Sequence, residues 1–157
     1  QDITIPFQMS SVEFFNMVKD HLTENGVMVV NMNMRGSGEG NINQYLADTI
    51  ASVFGTVYTA DVKGSTNREL FASNQEDMLD TLKNNAGNLA NADLQNMMLA
   101  VADTSTQYDG GDYIMTDDKA PVELLGMQVI DQVIKEEVAY YKGIYEEQGL
   151  DGLLQSL

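Results

Sequence analysis

The sequence predicts an α/β fold, and three observations lead there. An apolar run, "VMVVNM", follows a segment with helical spacing, "SSVEFFNMVKDHL". A second helical segment, "NINQYLADTIASVF", leads into two β-rich stretches, "TVYTADV" and "RELFAS". After Ser73 the pattern turns helical. The chain therefore divides into an α/β sheet portion, 1–74, and a mainly helical portion, 75–157, within one domain or fragment.

In the first helix Ser10 and Glu13 have capping-box spacing. Phe14, Val18 and Leu22 form one stripe, with Phe15 beside it. "TENG" stops the helix, and Gly26 suits the left-handed position that follows one. "VMVVNM" lacks alternation, which predicts a strand over about 27–33 covered on both faces. Ile42, Leu46, Ile50 and Val53 share a helical face, with Tyr45 and Phe54 beside it, and Gly55 ends that helix. Strands follow at about 56–62 and 67–73. Between them "KGSTN" is too short for a crossover, so the two must run antiparallel.

"NQEDMLDTLKNNAGN" and "ANADLQNMMLAVAD" read as helices separated by Asn and Gly. "TSTQYDGGDYIMTDDKAP" reads as a polar loop. "VELLGMQVIDQVIKEEVAYYKGIYEEQ" reads as a long amphipathic helix, with Leu125, Val129, Val133 and Ile134 on its apolar side. No strand is predicted after residue 73.

Composition narrows the chemistry. The chain has 157 residues, enough for one core. Its net charge of −16 repels a phosphate backbone and attracts cations, so no nucleic-acid partner is expected. Without cysteine there is no disulfide, thiolate nucleophile or Cys-based zinc site. The one histidine, His21, sits near a helix C-terminus, where imidazole suits the dipole. No apolar run reaches about 18 residues, and no basic segment precedes an apolar one. A cytoplasmic segment without a membrane span is the expectation. The chain opens "QDITIPF" without Met, as a processed chain or a piece of a longer one would.

"RGSGEG" at 35–40 raises a cofactor question. Strand, glycine loop, helix, strand and then Asp61 is the outline of a dinucleotide or S-adenosylmethionine site. A mononucleotide-binding half needs successive parallel strands, yet the next strand here turns straight back through "KGSTN". Glu39 also puts negative charge where an anionic ligand would sit. A flexible strand-to-helix connection through Gly36, Gly38 and Gly40 is the simpler reading. The acids of "DTSTQYDGGDYIMTDD" fail the spacing of a calcium loop.

Several stretches carry a family resemblance: "ITIPFQMSSVEFFNMVKDHLTENGVMVVNM", "LADTIASVFGTVY", a strand opening at Asn67, and "MTDDKAPVELL". In this order they resemble the C-terminal half of spermidine synthase-like proteins, also called polyamine aminopropyltransferase-like. That group shows I-P-F/Y-H-x-T-x-E-F-F, L-x-x-x-G-V-x-V-x-N, V-F-x-x-V-Y and a late T-D-D-x-A-P-V-E. The resemblance covers most of residues 3–73 and 113–125, and "TDDKAPVE" and "IPFQMSSVEFF" are its most specific pieces. Residues 75–112 resemble nothing in it.

The resemblance implies a fold, an activity and a site. The fold is the C-terminal part of a Rossmann-like, methyltransferase-type domain of the class I S-adenosylmethionine-dependent superfamily. "VMVVNM" becomes its fifth strand, so "RGSGEG" falls away from the cofactor glycines, which precede residue 1. The last strand of that fold inserts between the fifth and sixth. A small mixed three-stranded sheet is therefore expected, with 27–33 at an edge and 67–73 in the middle. The implied reaction is aminopropyl transfer from decarboxylated S-adenosylmethionine, a co-substrate, to a diamine. A methyltransferase-like protein and a non-catalytic interaction module are the alternatives. Asp2, Pro6 and Gln8 would edge the amine pocket, although Gln8 stands where the group often has His. Asp117 and Asp118 would face the cationic amine, or else cap the helix that follows Pro121. No catalytic, cofactor-binding or metal-binding residue is assigned in this chain. A homo-oligomer is expected, through the edge of "VMVVNM" or the long C-terminal helix.

Overall fold

The structure, a computed structural model, describes residues 6–33 and 38–156. A 3₁₀ turn at Phe7–Met9 leads into α1, Val12–His21. Then come β1, Met28–Asn33; α2, Ile42–Val53; β2, Thr56–Asp61; and β3, Asn67–Ser73. The remainder is α3, Met78–Gly87; α4, Ala92–Thr104; β4, Thr106–Gln107; and α5, Val122–Ser156.

The sheet order is β1-β3-β2-β4. β3 pairs antiparallel with β1 on one side and with β2 on the other, so β1 and β2 run parallel with β3 filling the gap between them. The expected placement holds, with β1 at an edge and β3 inside. Two details differ. Every ladder is antiparallel rather than mixed, and a fourth strand, β4, lies within the expected polar loop. β4 is two residues long, Thr106 and Gln107, too short to show alternation in sequence.

Register defines two faces. Val30, Leu70 and Thr59 line up across the sheet, as do Met28, Ala72 and Val57. This face joins Phe15 of α1 and Leu46, Ile50 and Val53 of α2 in the core. α2 is buried along most of its length because an Ile or Leu recurs every turn. Asn41 caps it by accepting from the amides of Asn43 and Gln44. Lys19 of α1 donates to the Val53 carbonyl at 2.7 Å, supplying a partner at the other end of α2.

β1 is not covered on both faces. It alternates, and Val29 is 55 % exposed, because only one side of this edge strand meets helices. Two capping expectations also shift. Ser11, not Ser10, is the N-cap of α1 and accepts from Phe14 N; Ser10 Oγ donates to the Phe7 carbonyl and so closes the 3₁₀ turn instead. Gly26 has no left-handed backbone; a Cβ there would come within 2.8 Å of Leu22 Cβ, so close approach explains the glycine. In α5, Leu125 and Val129 are buried and Val133 packs against the core as expected, but Ile134 is 53 % exposed, because it lies about 100° further round the helix than Val133.

Leu70 has no exposed surface and sits in the strand that pairs on both sides. Leu70→Ala should lower unfolding free energy by about 3 kcal/mol through lost burial and a residual cavity, read as a shifted urea midpoint with unchanged slope.

Candidate functional site

The two most specific sequence pieces, about a hundred residues apart, meet in space. Val12 N donates to the Met115 carbonyl at 2.9 Å. Ser11 Oγ donates to Asp117 Oδ1 at 2.5 Å, and Asp117 N donates to Glu13 Oε2 at 3.0 Å. Ser11 therefore both caps α1 and holds the turn that carries the acids. That turn is closed by Thr116 and Lys119, whose amides and carbonyls pair at 2.9 and 3.2 Å. Asp117 and Asp118 sit at its exposed tip.

Neither aspartate caps α5. The Leu125 amide donates to the Pro121 carbonyl, so the helix starts beyond both acids, and Asp117 serves the start of α1 instead. Among the described residues Glu13, Asp117 and Asp118 take part in no ion pair. Their charge is open to an incoming cation. Pro6 and Gln8 are exposed in and beside the 3₁₀ turn that leads into Ser10 and Ser11. Asp2 lies outside the described residues.

A residue that the sequence reading did not single out holds this arrangement in place. Asp48 of α2 is buried, with 1 % of its surface exposed. Its carboxylate accepts from the Tyr108 hydroxyl and from Tyr113 N at 3.1 Å. Next to it Thr49 Oγ1 accepts from Met115 N at 3.0 Å. Residues 108–115 are thereby strapped across α2, and the strap delivers the turn to α1. "DGGDY" is built for this contact. Gly110 takes φ +81°, and a Cβ on Gly111 would lie 2.7 Å from Asp48 Oδ2. The available signal was one acid inside the apolar run "YLADTI", paired with a double glycine elsewhere.

The glycine loop meets the same strap. Gly38 and Gly40 adopt φ of +112° and +71°. A Cβ on Gly40 would lie 3.1 Å from the Tyr113 ring, and Tyr113 Oη donates to Glu39 Oε1 at 3.1 Å. Glu39 thus has a structural partner. Residues 34–37 lie outside the described residues. His21 Nδ1 lies 2.7 Å from the Met17 carbonyl one turn back. Among the described residues no three His, Cys, Asp or Glu side chains gather as a metal site would require, and no helix is long and apolar enough to cross a membrane.

Among the described residues four ionisable groups depart from their ordinary values: Tyr108, Tyr113, Asp61 and Arg68, whose guanidinium is raised by its hydrogen bond to Asp61. Burial raises the Tyr108 phenol, and the hydrogen bond to Asp48 raises it further. The hydrogen bond to Glu39 raises the exposed Tyr113 phenol. The hydrogen bond from Arg68 lowers the Asp61 carboxyl at the turn end of the β2–β3 hairpin.

Asp48→Ala should cost about 2–3 kcal/mol by orphaning the Tyr108 hydroxyl and the Tyr113 amide, and should speed proteolytic cleavage within 105–121. Because the folded-state pKa of Tyr108 is raised, its contribution is whole below the ordinary phenol value of 10.0 and is lost as pH rises through the higher folded value. Tyr108→Phe should remove that alkaline component of unfolding. Asp61→Asn should cost under about 1 kcal/mol, since the pair is solvent-exposed. The Asp61 contribution is present above the ordinary carboxyl value and disappears as pH falls through the depressed one.

No family model matches the chain, and no solved structure matches it. A curated "Probable polyamine aminopropyl transferase" from Bifidobacterium longum (strain NCC 2705) is 49 % identical over 174 aligned residues. The alignment takes in the whole of this chain and 39 % of the relative's length. With the whole of its length aligned at that identity, the chain is a portion of a spermidine synthase-like protein.

Proposed function

We propose that the whole protein is a polyamine aminopropyltransferase acting in the cytoplasm on a diamine and decarboxylated S-adenosylmethionine. The 49 % identity to a curated probable polyamine aminopropyl transferase carries this reading. The sulfonium compound is a co-substrate here, not a resident cofactor. The amine lone pair attacks the methylene carbon attached to the sulfonium sulfur. The C–N bond forms, the C–S bond breaks, and its electron pair stays on sulfur as a neutral thioether. The new ammonium then loses a proton to a base.

In this proposal the chain contributes the amine side of the site. Asp117 and Asp118, with Glu13 beside them, attract and orient the distal ammonium of the diamine, and Asp2, Pro6 and Gln8 edge the same pocket. An ammonium held by a carboxylate at one end of the diamine leaves the other nitrogen to attack, and because that end does not change during the reaction the contact contributes binding alike before and at the transition state. The cofactor loop and the base belong, by the same resemblance, to sequence upstream of residue 1. The Ser11 hydroxyl keeps the carboxylate of Asp117 fixed before the amine arrives.

In the full-length protein Asp117→Asn retains an acceptor for Ser11 but loses the charge. It should raise the diamine KM roughly tenfold, a loss of about 1.4 kcal/mol, with little change in kcat; Asp118→Asn should act likewise. Steady-state kinetics at saturating decarboxylated S-adenosylmethionine measures this. Methyl transfer from S-adenosylmethionine, or no transfer to any diamine, would overturn the assignment. This chain alone should give no heat on titration with decarboxylated S-adenosylmethionine. Micromolar binding would restore the glycine loop as a cofactor site.

A further inference from the structure

The sheet has a second face, turned away from α1 and α2. Val29, Phe71 and Tyr58 stand side by side on it across β1, β3 and β2. α3 is carried over this face by α4: α3 packs on α4, and α4 in turn meets β2. A crevice of about 560 Å³ is left between the sheet and α3. Phe71 and Tyr58, with Val27 just before β1, form its sheet side. Met78, Leu79 and Leu82 form its helix side, and Met78, Leu82 and Asn85 follow one another at the spacing of a single helical face.

Two properties mark the crevice as a site rather than a packing fault. The first is space. Protein interiors are close-packed, and a gap between apolar walls forfeits the contacts that its lining could make. The volume falls within the roughly 300–1,000 Å³ typical of small-molecule pockets. The second is charge. Charged residues make up 20 % of the chain, yet none lines the crevice. A charged ligand would give up its hydration there and meet no counter-charge. That excludes a diamine or a sulfonium compound and admits an uncharged molecule. The polar groups in the lining form a neutral set. Gln75 Nε2 donates to Thr81 Oγ1 at 2.9 Å, which leaves the Gln75 carbonyl oxygen as an acceptor and the Thr81 hydroxyl proton as a donor. The rings of Phe71 and Tyr58 and the thioether of Met78 suit a flat aromatic partner. The crevice is also apart from the acidic turn. α1, α2 and the strap lie on the core face, and α3 and α4 belong to the stretch 75–112, outside the family motifs.

We propose that this crevice binds an uncharged, mainly apolar small molecule with an aromatic ring. The ring lies between Phe71 and Tyr58 on one side and the Met78–Leu82 face of α3 on the other, and a hydrogen-bonding group reaches Gln75 and Thr81.

Neutral N-phenylnaphthylamine, whose fluorescence rises in apolar surroundings, is the probe, titrated into the full-length protein. Saturable binding of one probe per chain is expected. Leu82→Trp fills the crevice and should weaken that binding about tenfold, with the far-ultraviolet circular dichroism unchanged. Asn85→Lys tests the same place by charge. Asn85 is exposed near the end of α3, where a positive charge suits the helix dipole, so the fold is retained. The parent should bind anionic anilinonaphthalene sulfonate weakly. Asn85→Lys should tighten that binding about tenfold and leave the affinity for the neutral probe as it was. If Leu82→Trp loses the native circular dichroism, Asn85→Lys decides alone. A diamine and decarboxylated S-adenosylmethionine in excess should leave the neutral probe bound. The proposal is overturned by no saturable binding, by a folded Leu82→Trp protein that binds as the parent does, by an anionic-probe affinity that Asn85→Lys does not change, or by displacement with either substrate. None of these readouts uses catalytic turnover, so the proposal stands or falls apart from the transferase assignment.

Discussion

One buried carboxylate organises the second half of the chain. Asp48 projects from the most buried helix of the molecule and receives a phenol and an amide from the strap. A carboxylate with so little exposure is stable there only if its oxygens are satisfied. The strap satisfies them; Gly111 leaves room for the carboxylate, and Gly110 takes a left-handed φ of +81° beside Ala51. The consequences run outward from there. Tyr108 N reaches the Val57 carbonyl at 2.9 Å just after β4 extends the sheet, and Met115 meets α1. The acidic turn then closes on Ser11, and Val122 begins α5. Without Asp48 the segment from β4 to α5 would lose the anchor that fixes its path.

Where periodicity was strong, the sequence was readable. The apolar spacing of Ile42, Leu46 and Ile50 marked α2, and the five-residue "KGSTN" fixed the antiparallel pairing of β2 and β3, because backbone reach leaves no other solution. The family order of motifs placed β3 between β1 and β2. Other features were not legible because they are tertiary. β4 is a strand only because Tyr58 and Thr59 lie beside it. Val29 looked buried because a run of valines does not say whether one face or two will be covered. The choice between Ser10 and Ser11 as cap turned on where the 3₁₀ turn ends.

The candidate site was half legible. Motif order singled out Asp117 and the segment around Gln8, and the fold brings the first of these against Ser11, three residues after the second. Asp48 was passed over because an acid in an apolar helix has no local partner to betray it, and its partners lie about sixty residues away. A fixed acidic turn also fits the composition. With 24 acidic against 8 basic residues, the surface draws cations in from a distance, and in the proposed function the turn is where the amine is received.

Tyr113 joins two loops that the chain separates. Its amide is held by Asp48, its hydroxyl by Glu39, and its ring lies 4.9 Å from that of Tyr45. The loop before α2 and the strap before α5 therefore share one aromatic side chain as a common wall. Glu39 and Gly40 pack on Tyr113 at one end of the strap and Ser11 holds Asp117 at the other, so a substitution at Tyr113 removes a wall from two segments about seventy residues apart in the chain.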